Sequence, residues 1–201
     1  MNKDFWEARY DEGGHAYGEK PNEFLVSLKD VFKKGESALV IGDGEGRNGV
    51  WLAEQGLEVL SIDQSEVGLK KAQEMAESRS VSIKMECADL IHWHWPENQY
   101  DYVVIIYVHF SPDVRPKIHQ KALSALKPGG KLILEGFTYE QLNYSSGGPP
   151  VREMLYDSTL LEKDFKAGHI KYMEELIIIL DEGKYHSGQG AIIRAIIEPP
   201  K

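Results

Sequence analysis

Short apolar runs alternate with amphipathic stretches along most of the chain. Five runs have the length of buried strands, and they lie at 38–41, 58–62, 81–85, 102–108 and 131–135. Between them, helical spacing predicts three helices. They lie at 48–55, directly after Ser65, which can serve as the N-cap, and at 116–126. Alternation of strands and helices is typical of parallel sheets with helices on both faces. The pattern therefore predicts a doubly wound, Rossmann-like α/β fold.

The runs also differ in ways that place them within the sheet. The run 102–108 is apolar throughout, which predicts a central strand covered on both faces. The run 81–85 alternates apolar and polar residues, which predicts a strand nearer the edge. Lys127-Pro128-Gly129-Gly130 predicts a turn before the fifth strand. Near the C-terminus, two strand-like runs at 172–181 and 191–198 predict an antiparallel hairpin.

Length and composition narrow the class of protein. A chain of 201 residues with 42% hydrophobic and 27% charged residues predicts one globular domain, 1–201. No apolar run is long enough to cross a bilayer, and residues 1–7 are too polar for a secretory signal, so we expect a soluble, cytoplasmic protein without membrane contact. The formal net charge of -9 disfavours nucleic acid as a partner.

A metal centre is not expected either. Cys87 is the single cysteine, which excludes an internal disulfide and an all-cysteine zinc site. His92 and His94 have strand spacing but no third ligand nearby, so aromatic packing in a loop is the simpler interpretation.

A glycine-rich segment, Gly42-Asp43-Gly44-Glu45-Gly46-Arg47-Asn48, follows the first strand. Glycines here allow a tight turn and a close approach of backbone to a ligand, although a turn without a ligand would use them too. Read two residues later, the spacing also fits a dinucleotide fingerprint, but from the end of the strand it is G-x-G-x-G. Carboxylates at Asp43 and Glu45 would repel a pyrophosphate. S-adenosylmethionine, which carries no phosphate, fits better because its ammonium and carboxylate suit carboxylates and backbone N–H groups.

Two further aspartates follow strands. Asp63 ends the second strand, where it could accept hydrogen bonds from both ribose hydroxyls or simply cap a helix. Asp89 follows the third strand, where it could bind the exocyclic amine of adenine, with Ala88 and Leu90 beside the base, or form an Asx turn.

Together these segments resemble class I S-adenosylmethionine-dependent methyltransferases, in particular the tellurite-resistance (TehB-like) and thiopurine-methyltransferase-like branch. The resemblance rests on residues 5–10, 17–18 and 21–22, the glycine segment, Asp63, Ala88-Asp89-Leu90 and 126–130. It implies a seven-stranded, mostly parallel sheet with the last strand inserted antiparallel. It also implies an N-terminal arm (1–36) over the cofactor, a cofactor-binding core (37–136) and a substrate-side segment with the hairpin (137–201).

The predicted cofactor is S-adenosylmethionine. Its predicted contacts are Tyr17, Gly42, Asp43, Gly44, Gly46, Arg47, Asn48, Asp63, Gln64, Ser65, Ala88, Asp89, Leu90 and Tyr107. One position departs from the family pattern, since Val40 stands where an acidic residue is usual, and we expect Asp43 to take over its role.

Methyl transfer from a sulfonium needs alignment and exclusion of water more than it needs a base. If a base is used, His109 is the first candidate because it follows the central strand, although it could instead bond a loop carbonyl. His15 could line the methyl site or anchor a lid, and Tyr144 and Arg152 could shape the substrate pocket. His119 is expected at the surface.

These observations predict an enzyme that methylates a small thiol, chalcogen oxyanion or carboxylate and releases S-adenosylhomocysteine. A non-catalytic adenosylmethionine-binding subunit and a nicotinamide-dependent oxidoreductase are the alternatives. The chain is expected to be a monomer, or a homodimer formed through the exposed edge of the hairpin.

Overall fold

The computed structural model describes residues 3–200. Met1 and Asn2, which begin the predicted arm, and Lys201, which ends the predicted domain, lie outside the described residues. The helices are α1 (Lys3–Tyr10), α2 (Glu23–Ser27), α3 (Arg47–Glu54), α4 (Glu66–Ser78), α5 (Arg115–Ser124) and α6 (Ser158–Asp164). The strands are β1 (Ser37–Ile41), β2 (Glu58–Asp63), β3 (Lys84–Cys87), β4 (Tyr100–Ile106), β5 (Leu126–Phe137), β6 (His169–Asp181) and β7 (Ser187–Glu198). Short 3-10 helices cover Lys29–Val31, Tyr139–Asn143 and Arg152–Met154.

The strands form a seven-stranded sheet in the order β3-β2-β1-β4-β5-β7-β6. β2 pairs parallel with β1 and with β3, and β4 pairs parallel with β5. β7 runs antiparallel to both of its neighbours, β5 and β6. The predicted Rossmann-like sheet with an antiparallel C-terminal hairpin is thus confirmed, with β4 in the middle and β3 at an edge.

The chain divides into two compact units. The first comprises the described residues up to Trp93 together with Glu182–Tyr185, and the second comprises the remaining described residues from His94 onward. In the first unit, β1 and β2 bury apolar side chains such as Leu39, Ile41 and Ile62 completely or nearly so. In the second unit, β4 buries residues 102–106, β5 buries residues 132–137 and β7 buries residues 190–193. These strands are buried because their runs are apolar on both faces. That 1–201 folds as a single domain stays a prediction.

Two predicted strands have different ends in the structure. β3 begins at Lys84, not at 81, because the chain leaves α4 through Ser80, which has a positive φ of 57°. β4 covers Tyr100–Ile106, not 102–108, because Tyr107 adopts a left-handed φ of 55° that no strand can continue.

The segment around Gly129 also differs from its prediction. β5 already begins at Leu126, which pairs with Tyr100, and α5 accordingly ends at Ser124. The predicted turn is an irregularity within the strand, where Gly129 has a φ of 82° and regular pairing resumes between Tyr102 and Lys131.

Within residues 3–200, no helix is long and apolar enough to cross a membrane, and no group of three or more His, Cys, Asp or Glu side chains is placed to hold a metal ion.

His119 was expected at the surface, but its side chain is completely buried in the second unit. The Asp164 carboxylate explains how a polar ring is accommodated there. Its Oδ2 lies 2.9 Å from Nδ1 of His119 and accepts a hydrogen bond of 2.8 Å from Nε of Arg115. Since Arg115 and Asp164 are themselves buried, the three side chains form a buried polar cluster that joins α5 to α6.

Replacing Asp164 by Ala should lower the free energy of unfolding by about 3–5 kcal/mol, because it leaves the Arg115 guanidinium buried without its counter-charge. Urea denaturation measures this effect. The matched control is Glu162→Ala, an exposed carboxylate on the same helix, which should change the stability by less than about 0.5 kcal/mol. Equal losses for the two variants would contradict the role assigned to the cluster.

Candidate functional site

The segment after β1 turns through three glycines in the left-handed region. Gly42, Gly44 and Gly46 have φ values of 62°, 57° and 84°, which side chains rarely tolerate. Gly46 is the N-cap of α3. The N–H of Gly42 donates to the carbonyl of Ile62 at 2.7 Å, so the loop is held against the end of β2. The result is a tight loop at the carboxyl end of a parallel strand, where sheets of this type bind ligands, with Gly42 half-buried and Gly44 and Gly46 buried.

Asp63 fixes the other side of this loop. Its Oδ2 accepts a hydrogen bond of 2.9 Å from the N–H of Gly44, and its Oδ1 accepts one of 2.9 Å from the N–H of Ser65. Burial raises the pKa of the carboxyl group to about 6. The backbone N–H of Gln64 also contributes a hydrogen bond to this carboxylate. A carboxylate has about four acceptor positions, so Asp63 keeps acceptor capacity toward a hydroxyl donor such as a ribose.

Asp43 joins β2 to the first turn of α3. Its carboxylate accepts hydrogen bonds from the Ser61 hydroxyl and from the N–H of Gly49, the latter at 3.2 Å. Burial also raises its pKa. Its expected replacement of the acidic residue missing at Val40 stays a prediction.

The N-terminal arm docks on the same loop. The Glu7 carboxylate caps α4 by accepting hydrogen bonds from the Ser65 hydroxyl (2.9 Å) and from the N–H groups of Glu66 (2.9 Å) and Val67 (3.1 Å). Tyr10 is buried, and a side chain at Gly44 would collide with its hydroxyl. Neither Glu7 nor Tyr10 was among the predicted site residues. Their spacing on one face of a short helix was the available signal.

Glu45 ties the arm to the glycine loop. Its carboxylate is buried and accepts hydrogen bonds from the N–H of Ala16 (2.7 Å) and from the Lys71 ammonium (2.9 Å). His15 lies beside it, with Nδ1 3.9 Å from Oε1 of Glu45. The Tyr17 hydroxyl accepts a hydrogen bond of 3.2 Å from Arg9. His15 thus lies beside the glycine loop and Tyr17 bonds within the arm, and their predicted roles at the methyl site or as anchors of a lid stay predictions.

Arg47 and Asn48 hold other segments of the first unit. The Arg47 guanidinium forms a buried ion pair of 3.0 Å with Glu182, in the short segment between β6 and β7. The Asn48 side-chain oxygen accepts a hydrogen bond of 2.9 Å from the N–H of Asn22, and Asn22 in turn donates to Glu182 at 3.1 Å. These side chains join α3, the arm and that segment, so their predicted contact with a cofactor remains a prediction.

The predicted adenine segment adjoins Asp63. The N–H of Ala88 donates to the carbonyl of Asp63 at 2.9 Å. Gln64 directly follows Asp63 in the chain, and half-buried Leu90 directly follows Asp89. Asp89 forms an Asx turn, one of the two roles expected for it, since its Oδ1 accepts a hydrogen bond of 2.9 Å from the N–H of Ile91. Its other oxygen, 3.6 Å from Nδ1 of exposed His92, faces the solvent side of the turn.

The remaining predicted residues lie in the second unit. Tyr107 directly follows β4, and its ring contacts Phe137 and His186 at centroid distances of 4.7 and 4.5 Å. Tyr144 is half-buried. Arg152 is exposed, with its guanidinium 4.1 Å from the centroid of the Tyr139 ring. Their predicted roles toward cofactor and substrate stay predictions.

His109 is fixed by backbone groups at both ring nitrogens. Its Nδ1 lies 2.9 Å from the carbonyl of Met154, and its Nε2 accepts a hydrogen bond of 3.1 Å from the N–H of Phe137. These partners require the neutral ring with its proton on Nδ1. Burial lowers the pKa to about 4, which also keeps the ring neutral. Because neither nitrogen keeps a free lone pair, the geometry favours the bond to a loop carbonyl over the predicted role as a general base.

The first unit alone fits the adenosylmethionine expected from the sequence. Tyr10 and Ala72 pack where side chains at Gly44 and Gly46 would stand, so the loop keeps its tight form only with glycines, and the Asp63 carboxylate lies directly beside its backbone. A pyrophosphate fits less well, because three buried carboxylates, those of Asp43, Glu45 and Asp63, surround the loop.

Comparison with known proteins agrees with this interpretation. A family model described as a methyltransferase domain matches residues 38–130. A probable thiol methyltransferase of Arabidopsis thaliana is 28% identical over 172 residues, which are 81% of this chain and 74% of that protein. The chain is also 28% identical over 120 residues to a phosphoethanolamine N-methyltransferase of Arabidopsis thaliana, but it spans only 24% of that protein's length.

Solved structures show the same fold. A protein from work on the conversion of a disulfide bond into a thioacetal group during echinomycin biosynthesis superposes with a TM-score of 0.82 at 16% identity, covering 98% of this chain and 91% of that one. TehB from Haemophilus influenzae superposes with a TM-score of 0.73 at 17% identity, covering 99% of this chain and 67% of that one.

The sheet has the α/β Rossmann-like methyltransferase fold of these solved structures, and residues 38–130 match the model of a methyltransferase domain.

The affinity for S-adenosylhomocysteine should depend on pH through Asp63. As the pH falls through about 6, the folded carboxyl group takes up a proton and loses acceptor capacity for the ribose hydroxyls. We expect the affinity to be constant above pH 7 and to fall by up to about tenfold per pH unit below 6. Isothermal titration calorimetry measures this dependence. Asp63→Asn should bind weakly and without the acid limb, and an acid limb that persists in this variant would contradict the assignment.

His109→Ala should lower the free energy of unfolding by about 1–3 kcal/mol at pH 7, because the N–H of Phe137 loses its acceptor. Unfolded histidine takes up a proton near pH 6.5, whereas folded His109 does so only near 4. The unfolded state therefore binds more protons in this window. The stabilisation is fully present above 6.5 and is lost as the pH falls toward 4.

Urea denaturation at pH 7 and 4.5 measures both effects. His92→Ala, at an exposed histidine, is the control and should stay within about 0.5 kcal/mol of the parent at pH 7. Parent-like stability of His109→Ala at pH 7 would argue against the role of the ring in holding Phe137 and Met154.

Proposed function

We propose that this chain transfers the methyl group of S-adenosylmethionine to a small-molecule acceptor, and that this acceptor is a soft nucleophile, a thiol or a chalcogen anion. The observation that carries the proposal is the joint arrangement of the glycine loop and Asp63, whose carboxylate bonds both Gly44 and the cap residue Ser65. This arrangement offers backbone to the methionine end of the cofactor and acceptors to its sugar.

The residues of the first unit divide the cofactor among them. Backbone at Gly42, Gly44 and Gly46 would hold the methionine moiety, and Asp63 would bind the ribose. The segment Ala88-Asp89-Leu90 would contact adenine. Bound adenosylmethionine supplies a methyl group on a sulfonium, which makes it electrophilic without help from the protein. The arm, which packs Tyr10 against Gly44 and bonds Glu45 of the loop through the N–H of Ala16, would exclude water from this region.

The choice of a soft nucleophile rests on two observations. Among the relatives, the thiol methyltransferase aligns over most of both chains, whereas the phosphoethanolamine methyltransferase is matched over only a quarter of its length. In addition, both nitrogens of His109 are occupied, so the expected base has no free lone pair. A thiol, with a pKa near 8.5, is partly ionised at neutral pH and needs no strong base. His109 would then position the segments of Phe137 and Met154.

Release of S-adenosylhomocysteine tests the proposal directly. Small thiols, hydrogen sulfide, selenite and tellurite form the acceptor panel, with phosphoethanolamine and a carboxylate for comparison. We expect turnover with a thiol or a chalcogen anion. Asp63→Ala should reduce kcat/KM by about 100-fold, since it removes two charge-assisted hydrogen bonds.

Glu162→Gln, at an exposed carboxylate on α6, is the matched control and should keep the parent activity. Turnover of phosphoethanolamine or a carboxylate alone would refute the choice of acceptor. Binding of adenosylmethionine without turnover of any acceptor would instead indicate a non-catalytic subunit.

A further inference from the structure

β6 leaves one long edge of the sheet without a neighbouring strand among residues 3–200. It stands last in the strand order and pairs with β7 only. From Tyr172 to Asp181 its register with β7 runs without a shift. A regular edge of this length is a template for another strand, because its outward N–H and C=O groups are aligned for pairing.

The side chains of this edge are unusually apolar. Ile177 and Ile179 are 54% and 68% exposed, and since they are two residues apart they lie on one face of the strand. On the other face, Leu176 and Ile178 pack against the core of the second unit. The stretch 172–181 contains no proline and no lysine, and its charged side chains are the carboxylates of Glu174, Glu175 and Asp181. The outer edge of β6 is therefore suited to pairing with another strand.

We propose that a second copy of this chain covers this edge, with its own β6 antiparallel to the first and Leu176 facing Leu176. The charges of the strand are complementary in this register. Ile179 of each copy faces Met173 of the other, and Lys171, which lies at the register shift between Ile170 and Tyr172, comes close to Asp181 of the other copy at the end of the paired stretch. Opposite charges on facing residues stabilise an antiparallel pair.

Neighbouring registers lack this complementarity. If the centre of the pairing moves from Leu176 to Glu175, two glutamates face each other, which is repulsive. If the centre moves to Ile177, the two copies of Ile177 face each other and Lys171 no longer lies near Asp181. Within its own chain, the Lys171 ammonium lies 3.8 Å from Glu198, and its side chain is 57% exposed, so its further donors remain accessible.

The pairing is two-fold symmetric and closes on itself, because both copies use the same edge. It therefore predicts a discrete dimer with no further growth. The dimer joins the two sheets into one and brings Ile179 of each copy beside Met173 of the other.

Sedimentation equilibrium of the full chain tests the proposal at concentrations from about 1 to 100 µM. We expect a reversible dimer of two 22.7 kDa chains. Ile179→Lys should raise the dissociation constant at least about tenfold, because it places a charge against Met173 of the other copy.

A charge exchange tests the register. Lys171→Asp and Asp181→Lys should each weaken the dimer by about tenfold, and the double variant should restore it to within about twofold. The rescue is specific to the contact between copies, because the double variant still lacks the ion pair of Lys171 with Glu198. Lys163→Asp, the same change of charge on exposed α6, is the control and should leave the dimer unchanged.

Circular dichroism and thermal melting establish that each variant folds. A single-chain mass at every concentration would overturn the proposal, as would aggregates of indefinite size. A double variant as weak as the single ones would exclude this register and overturn the proposal too.

Discussion

The hydrogen bond from the N–H of Gly44 to the Asp63 carboxylate is the interaction on which the site of this protein depends. It joins the glycine loop after β1 to the end of β2, at a distance of 2.9 Å. The same carboxylate begins the next segment by bonding Ser65, the cap of α4. One side chain therefore sets the position of the loop and the start of a helix, and both must be in place before a cofactor can be held between them.

Buried negative charge is the main electrostatic constraint around this bond. Asp43, Glu45 and Asp63 are all buried within one short region, and burial raises the pKa of the two aspartates. Each carboxylate is stabilised by donors, namely backbone N–H groups, the Ser61 hydroxyl or the Lys71 ammonium. Such a region tolerates a ligand that brings a positive charge and hydroxyl donors, and it disfavours one that brings phosphates.

The fold could be predicted from the sequence largely because its strands are short apolar runs bounded by glycine and polar residues. What the pattern could not predict depends on tertiary contacts. Tyr107 ends β4 early through a left-handed φ, which no local pattern signals in a run as apolar as 102–108. His119 is buried because Asp164, distant in sequence, accepts its hydrogen bond.

The same limit applies to the site. The spacing of Gly42, Gly44 and Gly46 and the strand-end position of Asp63 are local features, so the loop and the carboxylate beside it were predictable. The orientation of Asp43 toward Ser61, and the two backbone partners of His109, are set by residues far away in the chain. Residue type and position suggested a ligand and a base there, and only the three-dimensional contacts show the alternatives.

A crystal structure with bound S-adenosylhomocysteine would show whether Asp63 binds the ribose. Both ribose hydroxyl oxygens are expected within about 3 Å of the Asp63 carboxylate, while that carboxylate still accepts the hydrogen bond from Gly44. A ribose bound elsewhere, with the Asp63 oxygens bonded only to backbone N–H groups, would contradict this expectation.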